Sequence, residues 1–179
     1  MATIKSNRSG KQAGGRKVKA PVVKKRARSV AKLCDELEKA SAGLLHVSES
    51  DYPYQFFSLQ HHGLHEDSDQ LTALEFLACI GLSEELLNDL DIPAGQLVEE
   101  RSFAGFFPSL DDLANSGADI KDPKVIAEAK RYRNLEKLLT RRLKTVKVFR
   151  VGRVEVRCYI AGFLSEGNIA GLVTTAIET

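Results

Sequence analysis

One stretch of this 179-residue chain, residues 153–160, alternates strictly between apolar and polar side chains. The apolar members are Val154, Val156, Cys158 and Ile160. A period of two is typical of a β-strand that buries one face, and such a strand must pair with neighbours inside a sheet. Residues 146–148 show the same alternation, and Gly152 lies between the two stretches. The sequence therefore predicts a β-hairpin that turns at Gly152 and buries one face.

Helical periodicity marks other parts of the chain. Apolar residues recur at steps of three and four from Ser29 up to Gly43, and again over residues 125–143, so both stretches are predicted to be helices. Residues 71–87 resemble a helix in two pieces that is broken near Gly81. Weaker patterns predict short strands at residues 44–47, 54–59 and 97–99 and a final strand at residues 169–177.

Charge is distributed very unevenly along the sequence. Residues 1–28 hold ten Lys and Arg and no Asp or Glu, whereas residues 29–128 hold five basic against twenty acidic side chains. Residues 129–179 return to eleven basic against four acidic side chains. The acidic middle is suited to a basic partner surface, although carboxylates that only keep the protein soluble would give the same count.

The basic segment 1–28 has too few large apolar side chains to offset its ordering entropy, so we expect a disordered tail. Such a tail is compatible with a nucleic-acid-binding arm, a nuclear address around residues 24–28, an organellar transit peptide, or a solvated extension without a role. The sequence has no apolar run long enough to span a membrane and no secretory signal. Three widely spaced cysteines fit a reducing compartment, and we predict a cytoplasmic protein, with a nuclear or organellar address as the alternative.

Positive signs of enzyme chemistry are missing from the sequence. His61, His62 and His65 lie close to three acidic residues, but their spacing matches no zinc motif and a polar surface loop is the default interpretation. No nucleophile elbow or phosphate-binding loop is present. We therefore predict a protein that is not an enzyme and has no cofactor and no metal ion of its own.

Two blocks of sequence resemble the nuclease A inhibitor family. The first, residues 40–54, contains Ser48-Glu49-Ser50-Asp51-Tyr52-Pro53, similar to the family's Ser-Glu-Ser-acid-Tyr-Pro motif. The second runs from residue 134 to the terminal Glu178-Thr179 and is similar to the family's carboxy-terminal half. The blocks occur in the family's order, although the family also uses an Asp-Trp pair and this chain has no tryptophan.

The resemblance implies a three-layer α/β/α sandwich with an antiparallel-rich sheet, formed here by residues 29–179 behind the disordered basic tail of residues 1–28. It implies a protein inhibitor that occludes the active site of a Mg²⁺-dependent, non-specific nuclease. Glu49 and Thr179 match the family residues that approach the nuclease's metal, so they are the expected partner-binding residues. The alternative is a nucleic-acid-associated adaptor, whose tail binds nucleic acid and whose domain binds another protein.

Overall fold

The structure is a computed structural model that describes residues 20–46, 48–60, 71–82, 97–115, 119–164 and 168–178, with side chains from residue 28 onward. Within these ranges the chain forms four α-helices and seven β-strands. The helices are α1 (Ala20–Ser41), α2 (Ala73–Cys79), α3 (Leu110–Asn115) and α4 (Pro123–Arg142). The strands are β1 (Leu45–His46), β2 (Tyr52–Pro53), β3 (Gln55–Leu59), β4 (Val98–Ser102), β5 (Lys144–Val151), β6 (Glu155–Phe163) and β7 (Ile169–Ile177). The expected α+β class is confirmed.

Five of these strands form one antiparallel sheet in the order β3-β7-β6-β5-β4, while β1 and β2 pair separately. The predicted hairpin is confirmed as β5 and β6, with Val148 opposite Ile160. Gly152 has a φ of +117°, and a Cβ there would lie 2.3 Å from the Glu155 carbonyl oxygen, so the turn requires glycine. Val154, expected on the buried face, belongs instead to this turn and is 62% exposed.

The long helices α1 and α4 pack together on one face of the sheet. Asp122 caps α4 by accepting a hydrogen bond from the Lys124 amide, and Pro123 begins its first turn. The apolar stripes of both helices meet the sheet in one continuous cluster, which includes Leu33, Leu37, Leu135, Leu139, Val148, Ile160 and Leu172. The two predicted helices are therefore confirmed, although Ile126, expected on the apolar face of α4, is 46% exposed.

The opposite face of the sheet is also covered. Thr72 and Glu75 form a reciprocal capping box at the start of α2. This helix inserts Phe76 and Leu77 into a second cluster with Phe149 from the sheet. The hairpin therefore buries residues on both faces, and the prediction of a single buried face was wrong. In the described part of the chain, α2 is the one helix on this side of the sheet. The three-layer sandwich stays a prediction.

Several further predictions concern single segments of the chain. Helix α1 begins at Ala20, so residues 20–28 of the expected disordered tail are helical. The predicted strand at residues 44–47 pairs with β2, whereas β3 joins the main sheet beside β7. The second piece of the helix broken near Gly81 lies outside the described residues. None of the helices in the described ranges combines the length and the apolar character needed to cross a bilayer.

Candidate partner-binding site

The carboxy-terminal end of β7 lies beside the turn that joins β1 to β2. The backbone amide of Ile177 donates a hydrogen bond of 3.3 Å to the Ser48 hydroxyl, which in turn donates to the Ser50 carbonyl at 2.8 Å. A second contact joins β7 to β2, because the Thr174 hydroxyl donates to the Tyr52 carbonyl at 3.3 Å. These two bonds fix the Ser-Glu-Ser turn against the last strand of the sheet.

A row of polar side chains crosses the sheet beneath that turn. Strand pairing places Glu99 opposite Arg150, Arg150 opposite Cys158, and Cys158 opposite Thr174, on four adjacent strands. The Arg150 side chain is only 10% exposed, and its Nη1 donates to Glu99 Oε2 at 2.9 Å. Its Nη2 donates to Glu178 Oε1. A buried guanidinium needs such partners, because taking an unpaired charge out of water is costly.

Glu178 is held by its backbone as well as its side chain. Beyond the end of β7, its amide donates to the Val154 carbonyl at 3.0 Å. Because the side chain is bound to Arg150 at the same time, the residue is attached both to β5 and to the turn between β5 and β6. Glu178 is therefore fixed through two groups just beyond the end of β7.

An aromatic wall bounds the site on the side of β1. The His46 imidazole stacks on the Phe106 ring at a centroid distance of 5.1 Å and an interplanar angle of 2°. Phe107 continues the wall and meets Phe106 and Tyr54 edge to face. Burial, together with the positive charge of Arg150, lowers the pKa of His46. The imidazole is therefore held toward its neutral form, which suits a stacked position better than a charged one.

The turn, the ionic row and the aromatic wall border an open cavity of about 730 Å³. Its lining residues are His46, Ser48, Glu49, Arg101, Ser102, Ala104, Gly105, Phe106, Arg150, Cys158, Ala176, Ile177 and Glu178. Burial raises the pKa of Cys158 against the opposing hydrogen bond from Arg150, which favours the protonated thiol. At Glu99 the hydrogen bond from Arg101 lowers the pKa of the carboxyl, which stays ionised.

Glu49, one of the two expected partner-binding residues, is exposed and lines this cavity. Thr179, the other, lies outside the described residues, but its neighbour Glu178 lines the same cavity. The cluster of His61, His62 and His65 also lies outside the described residues. Within the described ranges, no group of three or more His, Cys, Asp and Glu side chains is arranged to hold a metal ion.

Sequence reasoning missed the ionic row, of which Arg150 is the centre. A signal for it was present, since Arg150 continues the alternation of Val146 and Val148 onto the face that packs against α1 and α4. A basic residue at a core position of a strand indicates that carboxylate partners lie close to it. The identity of those partners depends on strand register, which the sequence alone does not give.

Comparison with known proteins places this arrangement in context. No curated protein sequence matches the chain. A family model described as nuclease A inhibitor-like protein matches residues 31–179. The match includes Glu49 and extends through the terminal Thr179, so it spans both sequence blocks that form the site.

Proposed function

The chain belongs to the nuclease A inhibitor-like family, and from this premise we propose that it inhibits a Mg²⁺-dependent, non-specific nuclease by occluding its active site. Glu49 and Thr179 make the contacts nearest to the nuclease's metal. The cavity rim around them docks against the surface that would otherwise bind nucleic acid. Inhibition of this kind depends on the shape and charge of the inhibitor's surface and requires no catalysis by the inhibitor.

The observation that carries the proposal is the hydrogen bond from the Ile177 amide to the Ser48 hydroxyl at 3.3 Å. Each of these residues lies within two positions of an expected partner-binding residue: Ser48 precedes Glu49, and Ile177 is followed by Glu178 and Thr179. Consecutive Cα atoms are about 3.8 Å apart, so Glu49 and Thr179 are each separated from this contact by no more than two Cα–Cα steps. We therefore assign the sequence motif at residues 48–53 and the chain end to one binding edge.

The chemistry of that edge suits a nuclease that uses Mg²⁺. Mg²⁺ is a hard cation that prefers oxygen ligands and retains several waters. The Glu49 carboxylate and the Thr179 hydroxyl and terminal carboxylate supply oxygen atoms and negative charge, as the scissile phosphate does. Asp51 and Glu178, both exposed beside the turn and the chain end, extend the negative character of the edge and favour approach to a basic, phosphate-binding cleft.

Extending the chain beyond Thr179 tests this proposal directly. Four glycine and serine residues added after Thr179 should weaken inhibition of a Mg²⁺-dependent nuclease at least a hundredfold, because the terminal carboxylate is moved. The same residues added before Met1 form the control and should leave inhibition unchanged. Equal inhibition by both extended proteins would refute active-site occlusion through the chain end.

A side-chain substitution tests the other half of the edge. Glu49→Gln removes the charge but keeps the size of the side chain, and we expect about tenfold weaker inhibition or more, as for loss of one charge-assisted contact. Glu128→Gln, at a position on α4 that is also exposed, is the matched control. Inhibition that is unaffected by Glu49→Gln would remove this residue from the binding edge.

Nucleic-acid association is a second candidate function, favoured by a basic stripe on α4. Lys130, Arg133, Lys137 and Arg141 are all exposed, and their spacing places them along one side of the helix. Together with the basic tail, they form an electrostatic footprint suited to a phosphate backbone.

Salt dependence distinguishes specific phosphate contacts from an inert charged surface. Binding to labelled duplex DNA should weaken with salt, and Lys130→Gln combined with Arg133→Gln and Lys137→Gln should reduce the slope by about 0.9 per lost contact. Deletion of residues 1–19 should reduce it further while leaving α1 intact, whereas Lys121→Gln should have no effect. If the unaltered chain does not bind DNA, or binds with the same salt slope in the variants, this second function is wrong.

A further inference from the structure

We propose that Arg150 is a positioning residue that clamps the chain end, holding Glu178 so that Thr179 is presented to the partner in a fixed place. The inference rests on the proposed function, because it explains how the terminal residue of that binding edge is positioned. It concerns a side chain that contacts neither the metal nor the nuclease. Its effect on inhibition is exerted through the position of Thr179.

The contacts of Arg150 form a fork between two carboxylates. Nη1 donates to Glu99 on β4 at 2.9 Å, and Nη2 donates to Glu178 beyond the end of β7. The backbone of β5 fixes the base of the side chain, and the position is 9% exposed. A planar guanidinium held at both of its outer nitrogens cannot rotate freely, so it sets where the Glu178 carboxylate lies.

Glu178 has a second anchor that makes the clamp effective. Its amide donates to the Val154 carbonyl at 3.0 Å, while its side chain is bound on the Arg150 side. A residue fixed at both its backbone and its side chain leaves only one peptide unit to the end of the chain. Terminal residues are otherwise prone to fray, and a fraying end would lose entropy each time it entered the partner.

The alternative role for Arg150 is neutralisation of two carboxylates in a half-buried site. Lysine separates the two roles, because Arg150→Lys keeps the positive charge but cannot donate to Glu99 and Glu178 from one rigid fork. A clamp is lost in that variant, whereas simple charge neutralisation is largely retained. Glu178→Gln breaks the same contact from the other side, at a residue whose side chain is 50% exposed.

Release of Thr179 by a carboxypeptidase, followed by mass spectrometry of the free protein, measures the clamp without any nuclease. We expect Arg150→Lys and Glu178→Gln to release Thr179 about tenfold faster, and to weaken inhibition by a similar factor, as for loss of one charge-assisted hydrogen bond. The matched controls are Arg142→Lys and Glu36→Gln, which alter the two-contact Arg–Glu pair between α4 and α1. These controls should change neither quantity.

The two readouts separate the clamp from the function on which it rests. Faster release in a protein that inhibits no nuclease would support the clamp and refute the proposed function. Unchanged release in a folded Arg150→Lys variant, or faster release without weaker inhibition, would overturn the inference. If Arg150→Lys does not fold, Glu178→Gln decides the question by the same measurements.

Discussion

Removing the side-chain hydroxyl from each of two buried tyrosines should change the stability of this protein in opposite directions. Tyr54 is 7% exposed and Tyr132, on α4, is 1% exposed, and both belong to the cluster between the sheet and the helices α1 and α4. Among the described residues, the buried Tyr54 hydroxyl has no hydrogen-bond partner. The Tyr132 hydroxyl donates to the Leu45 carbonyl at 2.7 Å and accepts from the Leu45 amide at 3.3 Å.

The size of each change in stability depends on which polar groups the substitution removes and which it leaves without a hydrogen bond. Burial of an unpaired hydroxyl costs about 1–3 kcal/mol, so Tyr54→Phe should raise the free energy of unfolding by about 1 kcal/mol after loss of some packing. Tyr132→Phe removes two hydrogen bonds and leaves both backbone groups of Leu45 without their partner. Because Leu45 is 37% exposed and water can reach it, we expect a cost of about 1–2 kcal/mol.

Urea denaturation followed by far-ultraviolet circular dichroism is the suitable assay, since the chain has no tryptophan to report on unfolding. Each kilocalorie should also shift the melting temperature by about 2–4 °C. The slopes of the urea transitions should agree with that of the unaltered chain, because little surface changes. Destabilisation by Tyr54→Phe of 1 kcal/mol or more would show that its hydroxyl is hydrogen-bonded in solution, and the reasoning would be refuted.

Three further predictions concern stability. Because burial lowers the pKa of His46, the folded state favours the neutral imidazole. The free energy of unfolding should therefore decrease as the pH falls below about 6.5. Urea denaturation at several pH values should show a smaller decrease for His46→Asn than for the unaltered chain. A Cβ at Gly171 would lie 1.8 Å from the Ile160 carbonyl oxygen, so Gly171→Ala should cost about 3 kcal/mol or more, measured by thermal melting. Phe76 stacks on Phe149 at 4.4 Å, and Phe76→Ala should cost about 3–5 kcal/mol in urea denaturation; a loss below 1 kcal/mol would contradict this packing.

The elements that could be predicted are those whose signal is local. The β5–β6 hairpin and α4 were predicted because alternation and helical periodicity are properties of neighbouring residues. Gly152 marked the hairpin turn for the same reason, since its positive φ is a local requirement. The family resemblance seen in the two sequence blocks is likewise confirmed by the family match over residues 31–179.

The start of α1 was mispredicted because composition was given more weight than propensity. Residues 20–28 carry four basic side chains and no acidic ones, which indicated a disordered segment. Alanine, lysine and arginine are nevertheless good helix formers, and Pro21 is compatible with the first turn. Helix propagation from the packed part of α1 needs only one hydrogen bond per added residue, so these residues extend a helix that is already nucleated.

The site could be predicted only in part, because it depends on strand register and on contacts between residues that are far apart in the sequence. Glu49 was identified from its motif, but its proximity to the chain end depends on the contact between Ser48 and Ile177, which are 129 positions apart. Arg150 and Glu99 meet across 51 positions through the pairing of β4 with β5. A shift of one residue in that pairing would turn either side chain to the other face of the sheet.

The pairing of β4 with β5 brings oppositely charged parts of the sequence together. Arg150 belongs to the basic end of the chain, and an exposed guanidinium near the binding edge would oppose approach to a metal ion. Antiparallel pairing brings Glu99 from the acidic middle against it, and Glu178 compensates it from the other side. Because both outer nitrogens of Arg150 are occupied and its side chain is buried, its charge is compensated inside the site and not presented at the rim, where Glu49 is exposed. Under the proposed function, the basic end of the chain thus supplies internal support for the carboxylates of the binding edge, and such carboxylates are suited to a basic, phosphate-binding cleft.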